Sequence, residues 1–269
     1  MDSRCLLKTA GAGIAAIALS QLPSVAQEAQ QKMKPNIIVI LADDVGLGLI
    51  GACGSDNFKT PNIDKIAQSG TRFEYCYSAP VCGPSRCLMM TGRYPFRTGL
   101  NSNRSGSEVS PKTEVMIPQV LKKAGYVSGH TGKWDSRFKY QPYEWGFDET
   151  LYYNGSGRFW NDKGNKLITN TGAVEIPEGK YIPEMMHDFC VDFINKHKDE
   201  PFFLHYSMSH VHTPILKTPD SKEETKLFVD NVEYMDKLVG KLIDELDRLK
   251  LREKTILIFV GDNGTAGAG

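Results

Sequence analysis

Asn36-Ile37-Ile38-Val39-Ile40-Leu41-Ala42-Asp43-Asp44 holds an unbroken apolar run, mostly β-branched, that stops at two carboxylates. A strand with one solvated face would alternate apolar with polar. This run does not, so it reads as a strand buried on both faces, as in a parallel sheet covered by helices. Similar runs recur at Pro201-Phe202-Phe203-Leu204-His205-Tyr206 and at Thr255-Ile256-Leu257-Ile258-Phe259-Val260, the second leading into Gly261-Asp262-Asn263-Gly264. A weaker one is Gly125-Tyr126-Val127-Ser128-Gly129.

Helical segments fall between these runs. Thr60 as N-cap, Pro61 at the first helical position and Gly70 beyond the end bracket one. Gly83, Pro84 and Gly92 bracket another, and Thr113 to Ala124, closed by Gly125, reads as a third. Phe228, Val232, Met235, Val239, Leu242, Leu246 and Leu249 recur every three or four residues and predict a long amphipathic helix. Alternating strands and helices predict an α/β fold with a largely parallel sheet flanked by helices.

The chain has 269 residues, 41% of them hydrophobic, enough to bury a real core. Lys+Arg and Asp+Glu both total 32, so no field of one sign gathers nucleic acid or anionic lipid. A small substrate of mixed or weak charge is the better expectation. Residues 1–26 have a signal-peptide layout: Arg4 and Lys8, a small-residue apolar run from Thr9 to Leu19, Pro23, then Ser24-Val25-Ala26. The run falls well short of the roughly 20 residues needed to span a bilayer, so no stable membrane anchor is expected. The reading is an exported protein, periplasmic or extracellular, with a linker at 27–34 and the domain at 35–269. Ser3-Arg4-Cys5-Leu6-Leu7-Lys8 is similar to a twin-arginine signal without its second arginine, which leaves the export route open. Of six cysteines, removal of Cys5 with the signal leaves an odd number, so at least one thiol is unpaired or modified.

In α/β sheets, ligands gather beyond the carboxyl ends of the strands. Asp43-Asp44 and Asp262-Asn263 both follow strand-like runs, placing three carboxylates and a carboxamide at one sheet edge. That donor set suits a hard cation, calcium or magnesium. Taken singly, each is better read as local structure, since an Asp pair after a strand often caps a helix and Asp-Asn-Gly is a common turn.

The segment Cys82-Gly83-Pro84-Ser85-Arg86, followed by Thr91-Gly92-Arg93, resembles the signature of type I sulfatases, in which a maturation enzyme oxidises the cysteine to formylglycine. The likeness extends from Pro35 to Gly269 through Thr60-Pro61-Asn62-Ile63-Asp64, Gly132-Lys133-Trp134, Trp145-Gly146-Phe147-Asp148, Tyr234-Met235-Asp236-Lys237-Leu238-Val239-Gly240 and Gly261-Asp262-Asn263-Gly264. It implies the alkaline-phosphatase-like fold and hydrolysis of a sulfate monoester. It also implies calcium, rather than magnesium, held by Asp43, Asp44, Asp262, Asn263 and the modified Cys82. One hydroxyl of the hydrated formylglycine attacks sulfur and the alcohol leaves; the second hydroxyl then expels sulfate by re-forming the aldehyde. By the same resemblance Arg86 fixes the hydrate, Lys133 pairs with a sulfate oxygen, and His212 in His210-Val211-His212-Thr213-Pro214 protonates the leaving oxygen. His210 is its competitor and reads as structural.

Two departures stand out. Asp135 follows Gly-Lys-Trp where many sulfatases have histidine, which bears on substrate handling. The family pattern also continues past Gly269 into a further lysine and a C-terminal subdomain, so weak calcium binding and weak turnover are expected of these 269 residues alone. A small sulfated substrate is expected, and Tyr153, Arg158 and Trp160 in or beside the 154–171 segment suit a carbohydrate. The alternatives are a phosphomonoester or phosphonate ester hydrolase of the same superfamily and an inactive calcium-binding remnant.

Overall fold

The computed structural model describes residues 34–104, 109–135, 138–161 and 166–265. The expected signal peptide at 1–26 and the linker up to residue 33 lie outside the described residues. In chain order the strands are β1 (Asn36–Ala42), β2 (Val127–Trp134), β3 (Glu149–Asn154), β4 (Leu167–Thr169), β5 (Gly172–Val174), β6 (Phe202–Ser207) and β7 (Thr255–Gly261). The α-helices are α1 (Pro61–Ser69), α2 (Cys82–Thr91), α3 (Pro95–Thr98), α4 (Ile117–Lys123), α5 (Ile182–His197) and α6 (Leu227–Arg248). No helix among the described residues is long and apolar enough to cross a membrane.

The described strands form one sheet in the order β5-β4-β3-β2-β6-β1-β7. β1 runs parallel to β6 and β7, and β2 parallel to β3 and β6, while β4 and β5 add an antiparallel edge. Successive strand residues point to opposite faces, which gives the sheet two cores. Ile38 and Ile40 of β1 and Phe202, Leu204 and Tyr206 of β6 pack with Met186 and Phe193 of α5 and Met235, Val239 and Leu242 of α6. On the other face Val39 and Phe203 meet Cys87 and Met90 of α2, with Trp134, Trp145, Phe147 and Tyr152. That is why β1 carries no alternation: both of its faces lie under helices.

Some boundaries differ from expectation. Thr60 stands at the N-cap of α1, but its side chain does not cap the helix. Its hydroxyl accepts from the Gly51 N–H at 2.8 Å and donates to Asp64 at 3.0 Å. The orphan N–H groups of α1 are met from α6 instead: the Asp236 carboxylate accepts from the Asn62 and Ile63 N–H groups at 3.0 and 2.8 Å. This ties the Thr60-Pro61-Asn62-Ile63-Asp64 segment to the Tyr234–Gly240 segment, a link that spacing alone does not reveal. The third helix begins at Ile117 rather than Thr113, because the Gln119 side chain accepts from the Met116 N–H at 2.8 Å and starts the helix there. β2 continues past Gly129 to Trp134, and the second half of the 154–171 segment enters the β4–β5 hairpin rather than remaining a loop.

Candidate active site

β1 and β7 lie side by side and parallel, with Ala42 beside Gly261, so the residues that follow them emerge at the same edge. Asp43, Asp44, Asp262 and Asn263 are all buried there. Asp44 adopts φ 59°, a left-handed conformation that is uncommon without glycine and is held by neighbours on both sides. Its N–H donates to Asp262 Oδ1 at 3.1 Å and its Oδ1 accepts from Asn263 Nδ2 at 2.7 Å. The Asp43 N–H donates to the His210 carbonyl at 2.7 Å, which locks the loop after β6 against the loop after β1.

α2 brings the third side of the site. Cys82 is its first residue and is buried, so its side chain sits where free N–H groups and the helix dipole favour negative charge. Ligand atoms of Asp43, Cys82 and Asp262 all lie within 4.8 Å of one another. One helical turn on, Arg86 is 2% exposed and its Nη2 reaches Asp262 at 2.8 Å and Asp43 at 3.1 Å. Its Nη1 donates to Ser207 Oγ at 2.5 Å, and Ser207 in turn donates to the Lys133 carbonyl at 2.8 Å. Lys133, at the end of β2 and 1% exposed, donates to both Asp43 oxygens at 2.8 Å.

The electrostatics follow from this crowding. Burial pushes the Asp43 carboxyl up, but Arg86 and Lys133 together outweigh it and hold the group below the ordinary value. Burial, and then the charge of Asp43, push Asp262 up to about 6 against the pull of Arg86. Burial also opposes the charge on Arg86, and Asp43 and Asp262 overcome it, so the guanidinium stays protonated. Three carboxylates against two cations leave the cluster one negative charge in excess, an unfavourable place for an anionic substrate unless a further cation enters. The Oδ1 of Asn263 is buried and has no hydrogen-bond partner. An orphaned carboxamide oxygen beside three carboxylates and Cys82 fits the donor set of a hard divalent cation.

The two histidines after β6 differ sharply. His210 is fully buried, its Nε2 lies 3.0 Å from the Tyr181 hydroxyl, and burial depresses its pKa to about 3. His212 is partly exposed, with Nδ1 2.6 Å from the Thr213 carbonyl, an acceptor only, so the Nδ1 proton is fixed. Its Nε2 then faces Asp44 at 3.7 Å and is the nitrogen able to exchange a proton with a ligand. Asp135 is buried, 1% exposed, at the end of β2. Sequence reading missed two neighbours of the cluster: Ser207, which holds Arg86, and Asn103, whose Nδ2 lies 3.4 Å from Cys82 Sγ. Neither stands in a motif or a periodic pattern that would have marked it.

Buried carboxylates and cations at the carboxyl edge of a parallel sheet, with a helix N-terminus aimed at them, define an alkaline-phosphatase-like α/β fold. A solved alkaline phosphatase superfamily protein from Vibrio parahaemolyticus matches it with TM-score 0.62 at 19% identity, over 89% of this chain and 57% of that one. Residues 35–268 match the sulfatase family model, and the chain belongs to the sulfatase family. It is 30% identical to human N-acetylgalactosamine-6-sulfatase over 264 residues, 86% of this chain and 50% of that protein. The crystal structure of Ps i-CgsB in complex with k-i-k-neocarrahexaose matches with TM-score 0.77 and 31% identity, over 86% of this chain and 59% of that one. The chain thus spans about half the length of the curated relatives it matches.

Proposed function

We propose that the protein of which this chain forms the catalytic domain hydrolyses sulfate monoesters of carbohydrates, with Cys82 converted to formylglycine and calcium bound by Asp43, Asp44, Asp262, Asn263 and residue 82. The observation that carries the reading is the convergence of Asp43, Cys82 and Asp262 within 4.8 Å, at the start of a helix and against Arg86. Calcium is preferred to magnesium because a cage of protein oxygens suits the larger, more permissive ion. When bound, it withdraws charge from the sulfuryl oxygens and turns the net charge of the cluster positive. Formylglycine supplies, in its hydrated form, the hydroxyl nucleophile that a thiol does not.

The chain's own residues do the rest. Arg86 spans Asp43 and Asp262 and holds the two carboxylates together beside the helix start. Lys133 neutralises Asp43 and offers its remaining N–H to a sulfate oxygen. His212 presents Nε2 to the departing alcohol oxygen and delivers a proton. The carbohydrate substrate is inferred from two relatives, human N-acetylgalactosamine-6-sulfatase and Ps i-CgsB in complex with k-i-k-neocarrahexaose. Export from the cytoplasm and dependence on a maturation enzyme belong to the same proposal.

The test is co-expression with a formylglycine-generating enzyme, peptide mass over residue 82, and parallel turnover of an aryl sulfate and an aryl phosphate. Sulfate release that disappears in Cys82→Ala and on chelation supports the reading. Preference for the phosphate ester would mark a phosphoester hydrolase, and calcium binding without any release would mark a remnant. Either result overturns it.

A further inference from the structure

We propose that Asn103 is a further residue of the active site, one that holds the reactive side chain at position 82 against the start of α2. The Gly83 N–H donates to Asn103 Oδ1 at 3.1 Å. A backbone N–H can only donate, so the amide oxygen must face it, and the amide nitrogen is left toward Cys82 Sγ, 3.4 Å away. Gly83 is the second residue of α2, where the helix has no carbonyl to offer its N–H. Val81, at the N-cap, has no polar side-chain atom to fill that need. Asn103 fills it from a loop 20 residues further along the chain and with its other end grips the side chain of residue 82.

Asn103 is itself exposed while Cys82 is buried. On the sulfatase reading, on which this role in turnover rests, the carbon that bears sulfur bears oxygen after conversion. The Nδ2–H then donates to that oxygen and sets its direction relative to Asp43 and Asp262. Loss of the donor therefore lowers kcat rather than raising KM.

Two variants of the full chain separate this role from loop support. Asn103→Asp keeps an acceptor for Gly83 N–H but puts a carboxylate oxygen beside residue 82; Asn103→Ala removes both contacts. In the unconverted protein at one fixed pH, iodoacetamide alkylation of Cys82, followed by peptide mass, should slow about fivefold or more in Asn103→Asp. Amide exchange at Gly83 should stay at the wild-type rate in Asn103→Asp and accelerate about tenfold or more in Asn103→Ala. In the converted enzyme, both variants should lose about tenfold or more in kcat on an aryl sulfate, with KM within about twofold and Tm nearly unchanged. Wild-type alkylation and wild-type kcat in Asn103→Asp would show that Asn103 only supports its loop. If the wild type releases no sulfate, the sulfatase reading fails, and alkylation and exchange still decide whether Asn103 grips residue 82.

Discussion

Arg86 carries three contacts that no other side chain could make together: a guanidinium fork meets Asp262 and Asp43 on one nitrogen and Ser207 on the other. Arg86→Ala should destabilise the fold by about 3–5 kcal/mol, because it leaves the buried Asp262 carboxylate without its counter-charge and Asp43 with Lys133 alone. Urea unfolding measures this, and added calcium should return part of the loss if the ion neutralises the same oxygens. Arg86→Lys keeps the charge but loses the fork, so turnover should fall about a hundredfold or more while stability lies between the two. Behind this cluster, His130 and His205 are both fully buried with their Nδ1 atoms 2.9 Å apart. Burial lowers His205 to about 3, and burial, then His205 and Arg86, depress His130. Unfolded, each takes up a proton near 6.5; folded, His205 does not until about 3. Between about 6.5 and about 3 the unfolded chain therefore binds more protons, and stability should fall as pH drops through that range. The pair contributes nothing to the slope above 6.5. Each histidine adds up to about 1.4 kcal/mol per pH unit. Urea midpoints at pH 7.5, 6 and 5 check this; an unchanged slope in a His130→Gln, His205→Gln variant would contradict it.

Gly132 shows how an element can depend on one position. It lies inside β2 at φ 99°, and a Cβ there would meet the Ser207 carbonyl oxygen at 1.7 Å. Gly132→Ala should cost about 3 kcal/mol or more and displace Lys133 and Ser207 together, read as a lower Tm and weaker cation binding. The same residue explains a limit on what the sequence discloses. β1 and β6 were legible because strands covered on both faces need apolar residues at nearly every position, and β7 carries the same kind of run although Ile256 and Ile258 on it stay exposed. β2 was legible only to Gly129, since its second half, His130-Thr131-Gly132-Lys133, is buried yet polar, with His130 beside His205, Thr131 on the Leu151 carbonyl and Lys133 on Asp43. β4 and β5 are three residues each and too short to hold a period. Asp43, Asp44, Asp262 and Asn263 could be found because strand ends collect ligands. Ser207 and Asn103 could not, since their contacts join distant loops and strands with no local pattern.

β7 is the outermost strand of the sheet, and Ile256 and Ile258 on it are 48% and 43% exposed. Phe73, Tyr75 and Tyr77 form a second row of exposed rings on the segment between α1 and α2. Among the described residues no strand pairs with the outer edge of β7, and an unpaired parallel edge with apolar side chains pairs readily with another strand. The 269-residue chain should therefore associate as its concentration rises, and Ile258→Lys should suppress this, as sedimentation or light scattering can measure. The edge position also divides the proposed ligand set: Asp43 and Asp44 follow a strand held on both sides, whereas Asp262 and Asn263 follow one held on a single side. Apparent cation affinity is reduced by whatever fraction of molecules have β7 undocked. A strand that pairs with the outer edge of β7 lowers that fraction toward zero, and by reciprocity the cation strengthens the pairing. Calcium titrations at increasing protein concentration should accordingly report tighter binding, which makes the outermost strand of this sheet the place where assembly and metal loading become one equilibrium.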